Sequence, residues 1–306
     1  MINKEDLMQK QGIMLMLISK DFLEKDVGDR IETVKNMSEK YNMARGTVQT
    51  ALKTLQENGA ITLEPRGHLG TFIRFIDHKK LLKISGIENI VCVMPLPYTK
   101  KYEGMATGLY NVINKHVSFS LAFMRGSDNR LKFLKEGRYD LSITSKLTAN
   151  HYINQGEEIE IVACLGKESY VDSHALIVKN DFQGFTKGMR VGLDSTSYDQ
   201  KYLTKEFFKD KDVEFVEVKY SHIVEHIKNN YIDAAIWSVD EVINKEDDLK
   251  TVELDLHERN LLDREAVIIS RKENKAMIKF ISKFLDVEEV LSIQSKVINK
   301  KIVPSY

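Results

Sequence analysis

The segment 29–74 constrains the fold of this 306-residue chain more than any other part of it. Its apolar residues recur at three- and four-residue spacing in two short runs, which predicts two helices. Thr33 can cap the first helix. Asn58-Gly59 can end the second, because both residues tolerate the left-handed conformation common at helix C-termini. Short strands at 62–63 and 71–73 follow, with a Gly-rich turn between them. The predicted order is helix, turn, helix and β-hairpin.

The second of these helices and the tip of the hairpin carry polar residues on their exposed sides. The helix begins with an arginine and short polar side chains, which suit phosphates and base edges. The tip places an arginine and a histidine among glycines, where backbone can approach a minor groove. A helical segment that binds nothing would show the same periodicity, so these side chains are what favour DNA binding. The predicted DNA contacts are Thr33, Arg45, Thr47, Gln49, Thr50, Arg66, Gly67, His68 and Gly70.

The same segment resembles the winged helix-turn-helix of the GntR family of bacterial transcription regulators. The residues that match the family pattern are Gly28, Asp29, Arg45, Thr47, Val48, Ala51, Leu52, Leu55, Gly59, Ile61, Gly70, Thr71 and Phe72. The resemblance implies that Arg45 reads bases, that Thr47 contacts phosphate and that the tip at 67–70 enters the minor groove. Ala44 replaces a capping serine, Gln49 replaces a common arginine and the tip is one residue longer than usual. The family pattern therefore does not predict the operator.

The net charge is zero over the whole chain but not over its parts. Residues 1–83 contain 14 Lys and Arg against 11 Asp and Glu, a net of +3, so the remainder carries −3. Displacement of counterions drives phosphate contacts, and DNA binding by this segment should therefore weaken as salt rises.

Beyond the hairpin, short apolar strands alternate with amphipathic helices, which predicts an α/β domain. One pattern occurs twice, at 135–143 and at 228–236: a helix end, a short turn, an aspartate and an apolar strand. The repeat predicts two similar lobes and resembles the type II periplasmic-binding-protein fold. On that resemblance, the chain crosses between the lobes near 169–174 and near 258–264.

The predicted fold is thus an N-terminal winged helix-turn-helix plus a two-lobed α/β domain of the type II periplasmic-binding-protein kind. The predicted domains are a DNA-binding domain at 1–75, a linker or short helix at 76–88 and the two-lobed domain at 89–306. Lobe 1 would comprise about 89–170 and 264–306, and lobe 2 about 175–262. This combination resembles the YhfZ-type regulators over nearly the whole chain, and the resemblance implies an architecture more than a ligand.

In open α/β sheets, ligands bind beyond the carboxyl ends of strands, often at helix N-termini. The loops at those ends carry small hydroxyls, glycine and one arginine, which suit a small anion, and Arg125 can hold a carboxylate or phosphate through two hydrogen bonds. The alternatives are that Ser195 and Ser197 only cap a helix and that Arg125 forms a surface ion pair. Trp237 either packs in the core or forms a wall of the cleft. The predicted ligand contacts are Thr99, Arg125, Gly126, Ser127, Thr144, Ser145, Ser195, Thr196, Ser197 and Trp237.

The segment 222–226 (HIVEH) matches a zinc-protease pattern, in which two imidazoles and a glutamate share one helix face. Ile223 and Ile227 form the apolar side of this short helix, so a solvated polar face is favoured over a metal site. No Gly-rich phosphate loop is present, and no Ser or Cys nucleophile has a motif around it. We therefore expect no catalytic residue, no metal and no cofactor.

Cys92 and Cys164 lie in apolar runs, which favours buried free thiols in a reducing cytoplasm over a disulfide. The apolar stretch at 13–18 is too short to span a membrane, and no small-residue cleavage site follows it. It is predicted to belong to the first helix of the DNA-binding domain. We expect a cytoplasmic protein that does not bind a membrane.

These features together predict a bacterial transcription regulator. Its two-lobed domain would bind a small anionic metabolite that alters binding to an operator in double-stranded DNA. A homodimer would place two recognition helices about 34–36 Å apart, or a multiple of that distance, on a palindromic site. Two alternatives stay open: a constitutive DNA-binding dimer whose lobes bind no ligand, and an enzyme built on a binding-protein fold.

Overall fold

A computed structural model describes residues 9–240, 248–254 and 258–306 of the chain. It divides into two compact units. Unit 1 comprises Met1–Ile90, Asn114–Ser118 and Asn274–Phe284, and unit 2 comprises Val91–Ile113, Phe119–Glu273 and Leu285–Tyr306.

The described helices and strands follow the predicted alternation. The helices are α1 (Lys10–Leu23), α2 (Val34–Lys40), α3 (Arg45–Glu57), α4 (His78–Ile84), α5 (Lys100–Ile113), α6 (Ser127–Lys135), α7 (Lys146–Asn154), α8 (Tyr198–Phe207), α9 (Ile223–Lys228), α10 (Lys275–Phe284) and α11 (Val287–Ile298). The strands are β1 (Ile61–Pro65), β2 (Thr71–Ile76), β3 (Asn89–Met94), β4 (Ser118–Phe123), β5 (Leu141–Ser145), β6 (Ile159–Cys164), β7 (His174–Lys179), β8 (Met189–Leu193), β9 (Val213–Glu217), β10 (Ala234–Ser238), β11 (Leu249–Glu253) and β12 (Ala266–Arg271).

The helix-turn-helix of unit 1 is formed by α2 and α3. The hydroxyl oxygen of Thr33 accepts a hydrogen bond from Asn36 N at 3.2 Å and so caps α2, as predicted. Helix α3 begins at Arg45 without a capping side chain, because Ala44 has no acceptor. Its buried residues are Val48, Ala51, Leu52 and Leu55, which are the positions that the helical spacing predicts.

The wing is the antiparallel hairpin β1–β2, with Glu64 paired to Phe72. Its tip contains a short 3-10 turn at Gly67–Leu69. Gly70 has φ +99, and a Cβ atom there would lie only 2.5 Å from Nε of Arg30. The backbone conformation therefore favours glycine at this position, and the flexible end of Arg30 packs against it.

Unit 1 also contains α1, α4 and α10. Helix α4 lies within the segment predicted as a linker or short helix. Asp77 caps α4 by accepting from Lys80 N at 3.0 Å. Helix α10 comes from the distant segment that follows β12, and Phe280 on α10 is buried. Asp26 pairs with Lys279 and, at 3.7 Å, with Lys283. A helix from the C-terminal part of the chain is therefore a structural component of unit 1.

Unit 2 is built on two five-stranded sheets within the described residues. The strand order is β4-β3-β5-β12-β6 in lobe 1 and β11-β7-β10-β8-β9 in lobe 2. The chain passes from lobe 1 to lobe 2 between β6 and β7 and returns between β11 and β12. These two connections contain the segments 169–173 and 258–264, where the sequence places the crossings. The two-lobed α/β architecture is confirmed.

The repeated aspartate has the same structural role in both lobes. Asp140 donates from its backbone N–H to Val91 O at 2.9 Å, and its carboxylate accepts from Val91 N at 2.9 Å. Asp233 makes the same two bonds with Arg190, each at 2.8 Å. The aspartate thus joins the start of one strand to the neighbouring parallel strand, which explains why the pattern occurs twice in the sequence.

The two cysteines differ in their surroundings, and both are free. Cys92 is buried in β3, and burial raises the pKa of its thiol. Cys164 is exposed, so the prediction that both thiols are buried is wrong for Cys164. The physical reason is its position, because Cys164 is the last residue of the edge strand β6. Within the described residues, no helix is both long and apolar enough to cross a bilayer.

Candidate ligand cleft and DNA-binding surface

A cleft lies between the two lobes of unit 2. Its cavity measures about 120 Å³, slightly less than the ~150 Å³ of a protein cavity that accepts benzene. The space therefore suits a small ligand. The lining residues are Pro95, Leu96, Tyr98, Thr99, Tyr102, Met124, Arg125, Gly126, Ser127, Arg130, Tyr170, Val171, His174, Asp194, Ser197, Asp199, Gln200, Tyr220, Ser221 and Ser238.

The side chain of Arg130 on α6 is the buried cation of this cleft, with only 4% of its surface exposed. Its guanidinium donates to the carbonyl oxygens of Met124 at 3.0 Å and Ile143 at 3.2 Å. A longer bond, at 3.5 Å, reaches the hydroxyl of Tyr170. No carboxylate among the described residues forms an ion pair with it. A buried charge without a counter-ion is unfavourable, so this site favours an anion.

Arg125 is exposed and connects the two lobes at the edge of the cleft. Its Nε donates to the hydroxyl of Tyr98 at 2.8 Å, and its Nη1 donates to Oγ of Ser221. Tyr98 follows β3 of lobe 1, whereas Ser221 lies between β9 and α9 of lobe 2. Arg125 therefore holds the lobes together in this arrangement and adds a second positive charge at the cleft.

Asp199 on α8 is a buried carboxylate on the lobe 2 side. It accepts hydrogen bonds from the hydroxyls of Ser145 and Thr148 in lobe 1, each at 2.7 Å. Burial raises the pKa of Asp199, and the two hydroxyls oppose that shift. His174, also in the cleft, contacts the carboxylate of Asp263 through Nδ1 at 2.6 Å. Polar groups of both lobes are thus already joined across the cleft.

The loop before α6 packs closely against lobe 2. Gly126 has φ +76, and a Cβ atom there would lie 2.8–2.9 Å from three atoms of Thr196. Ser127 accepts a hydrogen bond from Tyr198 N at 3.0 Å. On the same side, the ring of His151 stacks on Tyr198 with centroids 3.7 Å apart. The absence of a side chain at residue 126 is what permits this contact between the lobes.

The structure brings five of the ten predicted ligand residues to the cleft: Thr99, Arg125, Gly126, Ser127 and Ser197. The other five make contacts elsewhere. Thr144 is buried in β5, and Ser145 caps α7 and donates a hydrogen bond to Asp199. The hydroxyl of Ser195 donates to Glu217 at 2.7 Å, and that of Thr196 donates to Asp194 at 2.6 Å. The ring of Trp237 stacks on that of Tyr220, with centroids 4.7 Å apart. Trp237 is thus a core residue that supports a lining tyrosine.

Several lining residues have no clear signal in the sequence. Tyr170 lies in a crossing segment without periodicity, and Tyr102 and Tyr220 lie in ordinary amphipathic surroundings. Arg130 does have one: it stands three residues after Ser127, so both occupy one face of α6. The sequence could therefore have indicated Arg130 as a ligand residue, because it lies one turn after the start of a helix that begins at the predicted cleft.

On the DNA-binding side, α3 exposes Arg45, Gln49 and Thr50, while Thr47 is half-buried. Arg45 has no ion-pair partner among the described residues. The hydroxyl of Thr50 donates to Gly46 O at 2.9 Å within the helix. The oxygen of Thr33 caps α2. Arg45, Thr47 and Gln49 are therefore the side chains of this set that have no hydrogen bond or ion pair with another described residue.

The predicted contacts of the wing lie at its tip. Gly67 and His68 are exposed in the 3-10 turn, and Gly70 follows it. Arg66 is exposed as well, but Glu64 accepts from its Nη2 at 3.1 Å, and its guanidinium lies 4.6 Å from the centroid of the Phe72 ring. The wing arginine is therefore paired with an acid in this structure.

The HIVEH segment begins at the end of a 3-10 turn and continues into α9. Ile223 and Ile227 are fully buried, as the apolar spacing predicts. The rings of His222 and His226 are perpendicular, with centroids 6.0 Å apart. Within the described part of the chain, no cluster of three or more His, Cys, Asp or Glu residues is arranged to hold a metal ion.

Two family models match the chain. Residues 26–73 match a helix-turn-helix domain, and residues 77–306 match the YhfZ C-terminal domain. The boundary between the two matches falls just before α4. The helix-turn-helix match does not specify the GntR family, so the GntR assignment stays a prediction.

Comparison with individual proteins agrees with these matches. YhfZ of Escherichia coli (strain K12) is 34% identical over 308 residues, which cover 99% of this chain and 100% of that protein. The crystal structure of YhfZ from Shigella flexneri has a TM-score of 0.65 at 38% identity and covers 75% of this chain and 98% of its own. An ancestral arginine-binding protein bound to arginine has a TM-score of 0.54 at 16% identity, covering 70% and 97%, which supports the binding-protein fold alone. The chain belongs to the YhfZ family.

Proposed function

We propose that this protein is a DNA-binding transcription regulator, with a helix-turn-helix of the GntR type, whose cleft binds a small anionic metabolite. The observation that supports this proposal most directly is Arg130, a buried guanidinium without an acidic partner, in a cleft of a binding-protein-like domain. The same chain carries a helix-turn-helix domain, which suggests DNA binding.

The anion would take the donors that Arg130 does not use. Guanidinium has five N–H donors, and the protein accepts three hydrogen bonds from Arg130. A carboxylate or phosphate fits the remaining donors as a charge-assisted partner. Tyr102 and Tyr170, which are packed edge to face at 5.3 Å, provide an apolar wall for the body of the ligand. We expect a compact carboxylate or phosphate monoester.

The ligand would control DNA binding by having different affinities for different arrangements of the two lobes. A ligand that contacts both lobes stabilises the arrangement in which they are joined, and it shifts the population toward that arrangement. Operator binding changes only if DNA distinguishes between the two populations. A homodimer would place two α3 helices one turn of DNA, about 34–36 Å, apart.

The ligand site can be tested by thermal unfolding of the full chain with a panel of small carboxylates, phosphate esters and their neutral amide or alcohol analogues. A ligand of the folded protein stabilises it by RT ln(1 + [L]/Kd), so the melting temperature should rise with concentration for the charged members alone. Arg130→Met should abolish the rise. Arg138→Met is the matched control, because Arg138 is an exposed arginine of the same lobe, paired with Glu136.

Three results would contradict this assignment. One is stabilisation by the neutral analogues as strong as that by the anions, and another is an unchanged ligand response in Arg130→Met. The third is the lack of any stabilisation by the panel, which would favour the constitutive DNA-binding alternative. Turnover of a panel member would instead favour the enzyme alternative.

A further inference from the structure

One acid in the wing is paired with two arginines. Glu64 accepts from Arg66 Nε at 3.2 Å and from Arg66 Nη2 at 3.1 Å. The same oxygen of Glu64, Oε2, lies 2.7 Å from Nε of Arg74. The side chains of Glu64, Arg66 and Arg74 are 37%, 42% and 59% exposed. The cluster therefore lies at the surface and carries a net charge of +1 instead of +2.

The hairpin brings these three side chains together. Glu64 on β1 is directly opposite Phe72 on β2, and Arg74 lies two residues beyond Phe72, at the irregularity in the register where it has no partner on β1. The guanidinium of Arg66 lies over the ring of Phe72, which holds it near Glu64. Strand pairing therefore places Glu64 and Arg74, and the contact with Phe72 places Arg66 of the tip beside them.

Two other arginines of unit 1 have no such partner. Arg45 and Arg30 form no ion pair within the described residues. Arg45 stands at the start of α3, where base edges would be read, whereas the wing arginines would meet the sugar-phosphate backbone. The acid is thus placed beside the cations that would contribute affinity without sequence information.

We propose that Glu64 limits the sequence-independent affinity of the wing for DNA. A phosphate would use the same N–H donors of Arg66 and Arg74 that the carboxylate occupies. DNA must therefore displace Glu64 or tolerate its negative charge nearby. Because phosphate contacts do not distinguish sequences, the acid weakens binding to all sites equally and leaves the contribution of Arg45 unchanged. The inference rests on the proposed DNA-binding function.

The test measures binding of the full chain to two short duplexes of unrelated sequence by fluorescence anisotropy, over a series of salt concentrations. Glu64→Gln keeps the shape of the side chain and removes its charge. It should raise the affinity for both duplexes by about fivefold per released arginine, the upper range for an exposed ion pair. The slope of log K against log salt should steepen by about 0.9 for each phosphate gained.

Glu57→Gln is the matched control, because it removes the same charge from the same unit at an exposed residue, paired with Lys53 at 3.6 Å. Its affinity should change much less than that of Glu64→Gln. A second test repeats Glu64→Gln in a chain that carries Arg66→Met and Arg74→Met. There the gain should fall to the level of the control, since the cations to be released are absent. Thermal unfolding confirms that each variant is folded.

Equal salt slopes for the wild-type chain, Glu64→Gln and Glu57→Gln would overturn the proposed role of Glu64 and leave the proposed DNA binding in place. So would a gain on only one duplex, or a gain that persists without the two arginines. Weaker binding by Glu64→Gln would show that the acid positions the arginines for DNA, and it would also overturn the inference. No salt-dependent binding by the unchanged chain would refute DNA binding itself, and this inference with it.

Discussion

The contact at Gly126 provides a direct test of how the two lobes are held together. In Gly126→Ala, two effects combine. The first is the backbone conformation, φ 76 and ψ 125, which costs an L-residue about 1–3 kcal/mol. The second is the new Cβ, 2.8 Å from Oγ1 and 2.9 Å from Cβ and O of Thr196. Overpacking of this kind costs roughly 1–3 kcal/mol more, and it falls on the contact between the lobes.

Gly137→Ala is a control without the clash. Gly137 also has a positive φ, +74, but it follows the end of α6, where Arg138 N donates to Phe133 O at 3.0 Å, and the nearest atom to its added Cβ would be 3.8 Å away. It should therefore show the conformational cost alone. Adding Thr196→Gly to Gly126→Ala should recover part of the loss that the clash causes, because that change removes two of the three contacting atoms.

Urea unfolding followed by tryptophan fluorescence is a suitable assay. Trp237 is the single tryptophan of the chain, is buried in lobe 2 and stacks on Tyr220 of the cleft. Gly126→Ala should lose about 2–6 kcal/mol of unfolding free energy, against about 1–2 for Gly137→Ala. Equal losses would refute the argument that residue 126 lacks a side chain because lobe 2 lies against it.

Three further predictions concern other parts of the molecule. Arg45→Ala should abolish preference for a duplex selected from a random pool and leave thermal unfolding unchanged, because Arg45 is exposed and unpaired within the described residues; retained preference would contradict its role. Burial, reinforced by a hydrogen bond with Asp172, raises the pKa of Asp240 from 3.8 to about 6. As the pH rises, the carboxyl of Asp240 therefore loses its proton earlier in the unfolded chain than in the folded chain. The contribution of protonated Asp240 to stability should decline between pH 4 and 6, and Asp240→Asn should remove that decline when unfolding is measured over a series of pH values. Phe280→Ala should cost about 3–5 kcal/mol and weaken the proposed DNA binding, since Phe280 is 1% exposed in unit 1; an unfolding profile equal to wild type would contradict that packing.

Those parts of the fold that rest on local patterns were predictable. The spacing of Val48, Leu52 and Leu55 is that of one buried helix face, and the structure buries these residues in α3. Asp140 and Asp233 recur because each satisfies the same pair of backbone groups on a neighbouring strand. A repeated local requirement leaves a repeated local sequence. The two-lobed architecture could therefore be inferred before any contact was known.

The composition of unit 1 was not predictable in this way. Helix α10 has the amphipathic spacing of any surface helix, and nothing in 275–284 indicates which partner its apolar face meets. Its contacts, such as the edge-to-face packing of Phe284 on His78 at 5.2 Å, join residues about two hundred positions apart. Long-range pairing of this kind depends on the whole fold, whereas a sequence window records only the face that is apolar.

The cleft shows why hydroxyl-rich loops alone do not identify all the residues of a binding site. Ser145 and Thr196 have the residue types expected for ligand contacts, yet both hydroxyls donate to protein carboxylates, of Asp199 and Asp194 respectively. A hydroxyl at the end of a strand satisfies a neighbouring acid as readily as a ligand, so its residue type does not decide between the two. A buried arginine is more decisive, because its charge requires a counter-ion. Arg130 has no counter-ion among the described residues. The negative charge of the ligand is for that reason the most specific property of the ligand that the cleft indicates.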